Sequence, residues 1–248
     1  MFRRRLDVEL VSRGLVSSRQ EAARAVAAKV VLVNGSVAEK ASHLVAPADS
    51  LVISNPVSRF VSRGGEKLDV ALSSLGIDVR GKRVADVGAS TGGFTDCVLQ
   101  RGAAYVLAVD VGHGQLDAKL RRDPRVKLLE RTNVRYLSKE RLGEASFDVV
   151  LADLSFISLT KVIPVLVQVF AARGSELLLL VKPQFESGRK EVSKGRGVIL
   201  EDTVRQTAVQ TVSRAMMDNG VAVKEVIQSP LKGARGNVEF FLYGVVEF

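Results

Sequence analysis

Cysteine is nearly absent: Cys97 is the only one in 248 residues. No intrachain disulfide is possible, so a buried core must hold the fold, which suits a reducing cytosol. Long apolar runs are missing too. The longest, such as residues 177–181, are strand-sized, far short of the ~18 residues of a membrane span. Met1-Phe2-Arg3-Arg4-Arg5 has the charge of a signal-peptide start, yet Asp7, Glu9, Ser12 and Arg13 interrupt any apolar segment behind it. These absences predict a soluble, cytoplasmic protein with no stable membrane association. No metal is expected.

Positive charge is what the chain has in excess. Net charge is +9, while 46% apolar and 25% charged residues are ordinary globular composition. The length suits one large domain, or a large one beside a small one. Residues 1–63 hold ten Lys/Arg against five Asp/Glu, a net +5; the remaining +4 is spread over about three times the length. Such a balance is either a solubility bias or the mark of a polyanionic partner, because phosphate contacts supply most non-specific nucleic-acid affinity.

The N-terminal pattern predicts two short helices and a small sheet. The first helix ends at Gly14. The second runs over 19–29, capped by Ser17-Ser18 with Glu21 in its first turn. Residues 30–33 read as a strand, Asn34-Gly35 as a tight turn, Val37 as the return, and 51–53 as a third strand. Arg3, Arg4, Arg5, Arg13, Arg19 and Arg24 gather on the helix pair as a solvated or RNA-facing cationic surface. Residues 1–57 are expected to form one domain, 58–63 a linker and 64–248 a second domain. Arg5-Leu6-Asp7, Gly14-Leu15, Ser18-Arg19, Ala22 and Val31-Leu32-Val33-Asn34-Gly35 resemble the RNA-binding module named after ribosomal small-subunit protein S-four. The resemblance covers about residues 3–55 and implies a module that grips structured RNA. Lys29 departs from it, standing where that family usually has Gly; the expected consequence is an altered helix C-cap.

Residues 83–87 read as a buried strand. Gly88-Ala89-Ser90-Thr91-Gly92-Gly93 follows as a glycine-rich loop, and residues 94–101 have helical spacing. Strand, glycine loop and helix open a doubly wound nucleotide-binding sheet. A second strand over 104–109 ends at Asp110, 22 residues after Gly88, where a carboxylate can accept from both ribose hydroxyls of an adenosine. That arrangement fits NAD as well as S-adenosylmethionine (SAM). Two features favour SAM. Asp86 precedes the loop, suiting a methionine amino group and repelling a pyrophosphate, and the loop lacks the full Gly-x-Gly-x-x-Gly spacing. Asp86, Gly88, Ser90, Thr91, Gly92, Gly93, Phe94, Asp110 and Val111 form the expected cofactor set. Gly112, His113 and Gly114 shape the adjoining turn, with His113 structural.

Two further strands, 147–152 and 177–181, end at Asp153 and Lys182, and Pro183 turns the chain off the sheet. In open α/β sheets ligands lie beyond the carboxyl ends of strands. Lys67 opens a helix over 66–74, Glu239 begins a last strand over 239–246, and 221–227 is its hairpin partner. The fold class is therefore α/β: a Rossmann-like, mostly parallel sheet with an antiparallel C-terminal hairpin, behind a small α+β domain. Lys67, Asp153, Lys182 and Glu239 look like the Lys-Asp-Lys-Glu tetrad of FtsJ-class ribose 2′-O-methyltransferases. With Val61-Ser62-Arg63-Gly64-Gly65, Asp153-Leu154-Ser155-Phe156-Ile157-Ser158-Leu159, Val181-Lys182-Pro183-Gln184-Phe185-Glu186 and Gly236-Asn237-Val238-Glu239, nearly the whole chain resembles the TlyA family. Members of that family are described both as rRNA methyltransferases and as hemolysins.

The resemblance implies a SAM-dependent transfer to a cytidine ribose in 16S and/or 23S rRNA within ribosomal subunits. The chemistry of the four residues assigns Lys182 to take the proton, Asp153 to orient it, and Lys67 and Glu239 to position the hydroxyl and its partner lysine. The short ends match compact family members, which are expected to favour the large subunit. Basic loops at 187–198 and 229–237 are expected to meet RNA phosphates. A base methyltransferase fits less well: Asn/Asp-Pro-Pro-Tyr is missing at residues 153–156, and Cys97 comes too early in the fold for a nucleophile. A membrane-active hemolysin, and an RNA-binding protein with an inactive fold, are the other classes considered.

Overall fold

The computed structural model describes residues 3–54, 59–142 and 146–248, in two units, Met1–Arg59 and Phe60–Phe248. The first unit contains β1 (Arg4–Arg5), α1 (Leu6–Ser12), α2 (Arg19–Ala27), β2 (Val31–Val33), β3 (Ser36–Val37), β4 (Leu44–Val45) and β5 (Leu51–Ile53). Leu6, Leu10, Ala22, Val26, Val31 and Val45 form its core. Ser18 caps α2 by accepting from the Glu21 amide, and Glu21 accepts in return from the Ser17 amide and hydroxyl. The helix stops two residues earlier than the spacing predicts. Lys29 takes φ +58, the left-handed position that a glycine fills without strain.

Asn34 and Gly35 also have positive φ and join β2 to β3 in register Leu32↔Val37, a two-residue hairpin. The β1–β4 pair was not legible in the sequence, because each strand has only two residues. Arg5 and Arg19 both reach Asp7, and the Arg5 hydrogen bond is the chief reason that its carboxyl is lowered to about 2. Arg13 is spent on structure, donating to Glu9 and to the carbonyls of Ala46, Pro47 and Asp49.

In the second unit, α3 (Arg63–Ser74) leads to β6 (Arg83–Val87), α4 (Gly93–Gln100), β7 (Tyr105–Val109), α5 (Ala118–Arg121), β8 (Val126–Leu129) and α6 (Lys139–Leu142). Then come β9 (Val149–Ala152), α7 (Ile163–Val165) widening into a π turn at Leu166–Phe170, β10 (Glu176–Val181), α8 (Pro183–Glu186), α9 (Arg189–Lys194), α10 (Asp202–Asp218), β11 (Val221–Gln228) and β12 (Phe240–Val246). The seven strands lie in the order β11-β12-β10-β9-β6-β7-β8, parallel from β10 to β8, with β12 antiparallel to both its neighbours. Alternate residues of β10 serve opposite faces: Leu177, Leu179 and Val181 pack with Ile163 and Phe170, while Leu178 and Leu180 pack with Leu68 and Val98. Both faces are thus covered, which is why the central strands read as continuous apolar runs. Among the described residues no helix is long and apolar enough to cross a membrane.

Three expectations are corrected. Of the expected linker 58–63, residue 58 lies outside the described residues, but 60–63 belongs to the second unit. Phe60 is buried, the Val61 amide donates to Asp96, and α3 begins at Arg63, so Lys67 lies one turn inside its helix. The segment 187–198 is not one open loop, since α9 occupies its middle. The last strand begins at Phe240, one residue after Glu239. The strand order reverses between β6 and β9, and such a reversal opens a ligand crevice at the strands' carboxyl ends.

Candidate active site

Gly88 follows β6 directly at φ +92, and any Cβ there would come 2.5 Å from the carbonyl oxygen of Asp153. The Asp153 amide in turn donates to Val87 at 3.0 Å. Only a glycine lets the two strand ends meet this closely. Asp110, at the end of β7, ties the loop to the next turn: Oδ2 accepts from the Ser90 amide at 2.8 Å and Oδ1 from the Gly112 amide at 2.6 Å. A carboxylate offers about four lone-pair sites, so Asp110 keeps acceptor capacity facing the crevice that it lines. Glu130 secures the far side of that turn through Arg121, His113 and the Gly114 amide.

Two members of the expected cofactor set also pack inward, and of these Phe94 lines one of the cavities beside the loop as well. Gly92 lies against Leu116 and Leu120, and the Phe94 ring packs on Phe241 at 6.1 Å in the core. Asp86 is fully buried. Its Oδ2 accepts from Thr95 Oγ1 at 2.6 Å, and its Oδ1 has no partner. Burial, reinforced by the charges of Asp153 and Asp110, pushes its carboxyl up to about 7.

Two cavities share the wall made by Gly88, Ser90 and Asp153. One, of about 500 Å³, is lined by Asp110, Val111, Asn133 and Phe156. The other, of about 270 Å³, is lined by Thr91, Gly93, Arg63, Lys67 and Lys232. The four charged residues that the sequence singles out form two lysine–carboxylate pairs at this junction. Lys182 Nζ is 2.5 Å from Asp153 Oδ1 and donates to Ser155 Oγ at 3.1 Å. Lys67 Nζ donates to Glu239 Oε2 at 2.6 Å. Lys67 and Asp153 line the same cavity, so both pairs meet beside the glycine loop. Gly233 lies so close over Glu239 that a Cβ would collide with its carboxylate. The Arg63 guanidinium donates to the Lys232 carbonyl and straps that loop to α3.

A third cavity, about 980 Å³ and open, runs past Phe156, Phe185, Gln184, Arg135, Lys161 and Arg235. The Phe156 ring is 91% exposed on a backbone at φ +64, with its centroid 5.1 Å from that of Phe185. Glu186 anchors α8 to the segment after β9, accepting from Ser158 Oγ at 2.5 Å and the Leu159 amide at 2.9 Å. Asn237, 2% exposed, joins the two basic segments: it donates to the Gly197 carbonyl at 2.9 Å and accepts from the Ile199 amide at 3.0 Å. Sequence reasoning passed over Phe156, Gln184 and Asn237 as individual residues. The only available signal was their place within strings already singled out.

The comparisons with known proteins follow this division. Residues 60–245 match the FtsJ-like methyltransferase family and residues 4–51 the S4 domain. The 16S/23S rRNA (cytidine-2′-O)-methyltransferase TlyA of Mycobacterium tuberculosis is 48% identical over 97% of this chain and 89% of its own. A solved structure described as a hemolysin from Streptococcus thermophilus is 38% identical, with TM-score 0.76 over 99% of this chain and 89% of that one. An S-adenosylmethionine-dependent methyltransferase from Listeria monocytogenes, 16% identical with TM-score 0.56 over 75% of this chain and all of that one, shares the fold.

Proposed function

The chain belongs to the TlyA family of FtsJ-like methyltransferases carrying an S4 domain, and we propose that it methylates the ribose 2′-hydroxyl of a cytidine in 16S and/or 23S rRNA, using SAM. The observation that carries this reading is the meeting of Lys182–Asp153 and Lys67–Glu239 beside the Gly88 loop.

The residues present fit the cofactor. Two cavities sharing a wall suit a ligand with a nucleoside at one end and an amino acid at the other. Asp110 and Val111 would hold the ribose side, and Gly88, Ser90, Thr91 and Gly93 would admit the chain between. The unpartnered Asp86 Oδ1 offers an acceptor to the ammonium. SAM supplies a methyl group already activated on a sulfonium, so orientation of the nucleophile accounts for much of the rate. Lys182, once it has given up its own proton to solvent, receives the hydroxyl proton as a neutral amine, and Asp153 stabilises the ammonium that results. Lys67, held by Glu239, positions the hydroxyl.

Arg5, Arg19, Arg196, Lys232 and Arg235 meet phosphates, while the groove past Phe156 receives the target base. Residues before Phe60 form the RNA-binding domain. An rRNA substrate puts the enzyme's work in the cytoplasm, with ribosomal subunits as partners. The test is to incubate the purified protein with isolated small and large subunits and labelled SAM, then map modified nucleosides by mass spectrometry. 2′-O-methylcytidine is expected in at least one rRNA; its absence from both overturns the proposal.

A further inference from the structure

One polar group in the site has no partner and no assigned task. Gln184 Oε1 is shielded from solvent and accepts no hydrogen bond from the protein. Buried polar atoms are nearly always satisfied, and one withheld from both water and protein donors costs stability. Such an atom marks a place where the missing donor arrives with a ligand. Gln184 lies in α8, two residues after Lys182, and lines the groove with Phe156, Phe185, Ser158 and Arg235. Its neighbours are fixed on both sides, Lys182 by Asp153 and Ser155, and Glu186 by Ser158 and Leu159. The α8 backbone that carries Gln184 is therefore held at a set offset from the Lys182 side chain. Beside it, Phe185 and the exposed Phe156 ring form an aromatic edge.

We infer that Gln184 reads the target base, its Oε1 accepting a hydrogen bond from the exocyclic amino group of cytosine. This rests on the ribose methyl-transfer reading and adds a selectivity to it. RNA bases splayed out of a helix are commonly stacked on aromatic rings and hydrogen-bonded along their base-pairing edges. Cytosine carries an amino donor on that edge where uracil carries a carbonyl. Uracil in the same pose would set two acceptors against each other and leave Gln184 unsatisfied. A site built around one hydrogen bond rejects the analogue lacking it more sharply than an apolar pocket sorts by size. The cations around the groove, Arg135, Lys161 and Arg235, address phosphates, which fix register but carry no base identity.

The experiment compares wild type, Gln184→Glu and Gln184→Met on subunits carrying the mapped target cytidine and on subunits with uridine at that position. Formation of 2′-O-methylcytidine by wild type comes first, and without it the functional reading itself fails. Given that activity, wild type should prefer cytidine in kcat/KM by about tenfold or more, the discrimination expected of a good base-edge contact. Gln184→Glu keeps an acceptor and should keep the preference. Gln184→Met should lose cytidine activity and, with the opposed acceptor gone, raise the uridine rate, bringing the ratio close to one, with SAM affinity equal in all three. A Met variant with the wild-type ratio overturns the inference. So does an equal loss on both substrates in both variants, which would make Gln184 a packing residue.

Discussion

The two lysine–carboxylate pairs share a chemistry and differ in access. In Lys67–Glu239 the carboxylate side chain is 2% exposed and covered by Gly233, whereas Asp153 of the other pair is 24% exposed and lines both cavities beside Gly88. A carboxylate sealed from solvent makes its pair a fixed strut, since breaking it strands a charge, even though Lys67 itself reaches the cavity wall. A pair open to the crevice can exchange a proton with what binds there. Placement against solvent, and not residue type, distinguishes the two carboxylates.

The sharpest break of this comparison is to remove each lysine in turn. Lys182→Met should lower kcat by roughly 10²–10⁴-fold, the range for a positioned acid–base group, with little change in melting temperature. Lys67→Met should cost roughly 3–5 kcal/mol in stability by leaving the Glu239 carboxylate buried and unpaired, read by thermal or denaturant unfolding. Equal stability losses in the two variants would erase the distinction. A gentler probe is Gly233→Ala, which replaces none of the four residues. Its methyl group collides with the Glu239 carboxylate, so activity should fall while SAM binding, measured by calorimetry, is kept. Unchanged activity would mean that the strut tolerates displacement.

The smallest effect concerns Asp86. Its raised carboxyl, about 7 when folded, keeps a proton that the unfolded chain releases near 4. The folded state then binds more protons than the unfolded state between those values. Ligand-free stability should be full below about 4, fall as pH rises, and level off above 7, with a slope of at most about 1.4 kcal/mol per pH unit. An ammonium ligand favours the carboxylate, so SAM affinity should rise over the same window. Asp86→Asn should flatten both profiles; a wild-type profile already flat would show that burial does not set this group.

What the sequence made legible was local. The Gly88 loop, Asp110 and the strand ends at Asp153 and Lys182 follow from periodicity and from where glycines interrupt it. Lys29 at φ +58 fits the same logic, a cap position filled without glycine. Asp153 was expected beside Lys182, but the pairing of Lys67 with Glu239 was not legible, because they are 172 residues apart and only the closed sheet makes them partners. Phe60 looked like linker for a related reason. Its ring fits where Gly65 has no side chain, a vacancy visible only once α3 is folded. Gln184 resembled any helix-start glutamine until its oxygen was seen to lack a donor.

Asn237 gives the two basic segments a property that neither has alone. One amide holds the turns at 197–199 and 233–237 in mutual register, with Arg196 and Arg235 both on left-handed backbones beside it. Two stretches some forty residues apart are thereby obliged to shift together. A length change in either would have to be matched by its counterpart, so the pair should be inherited as a single cassette.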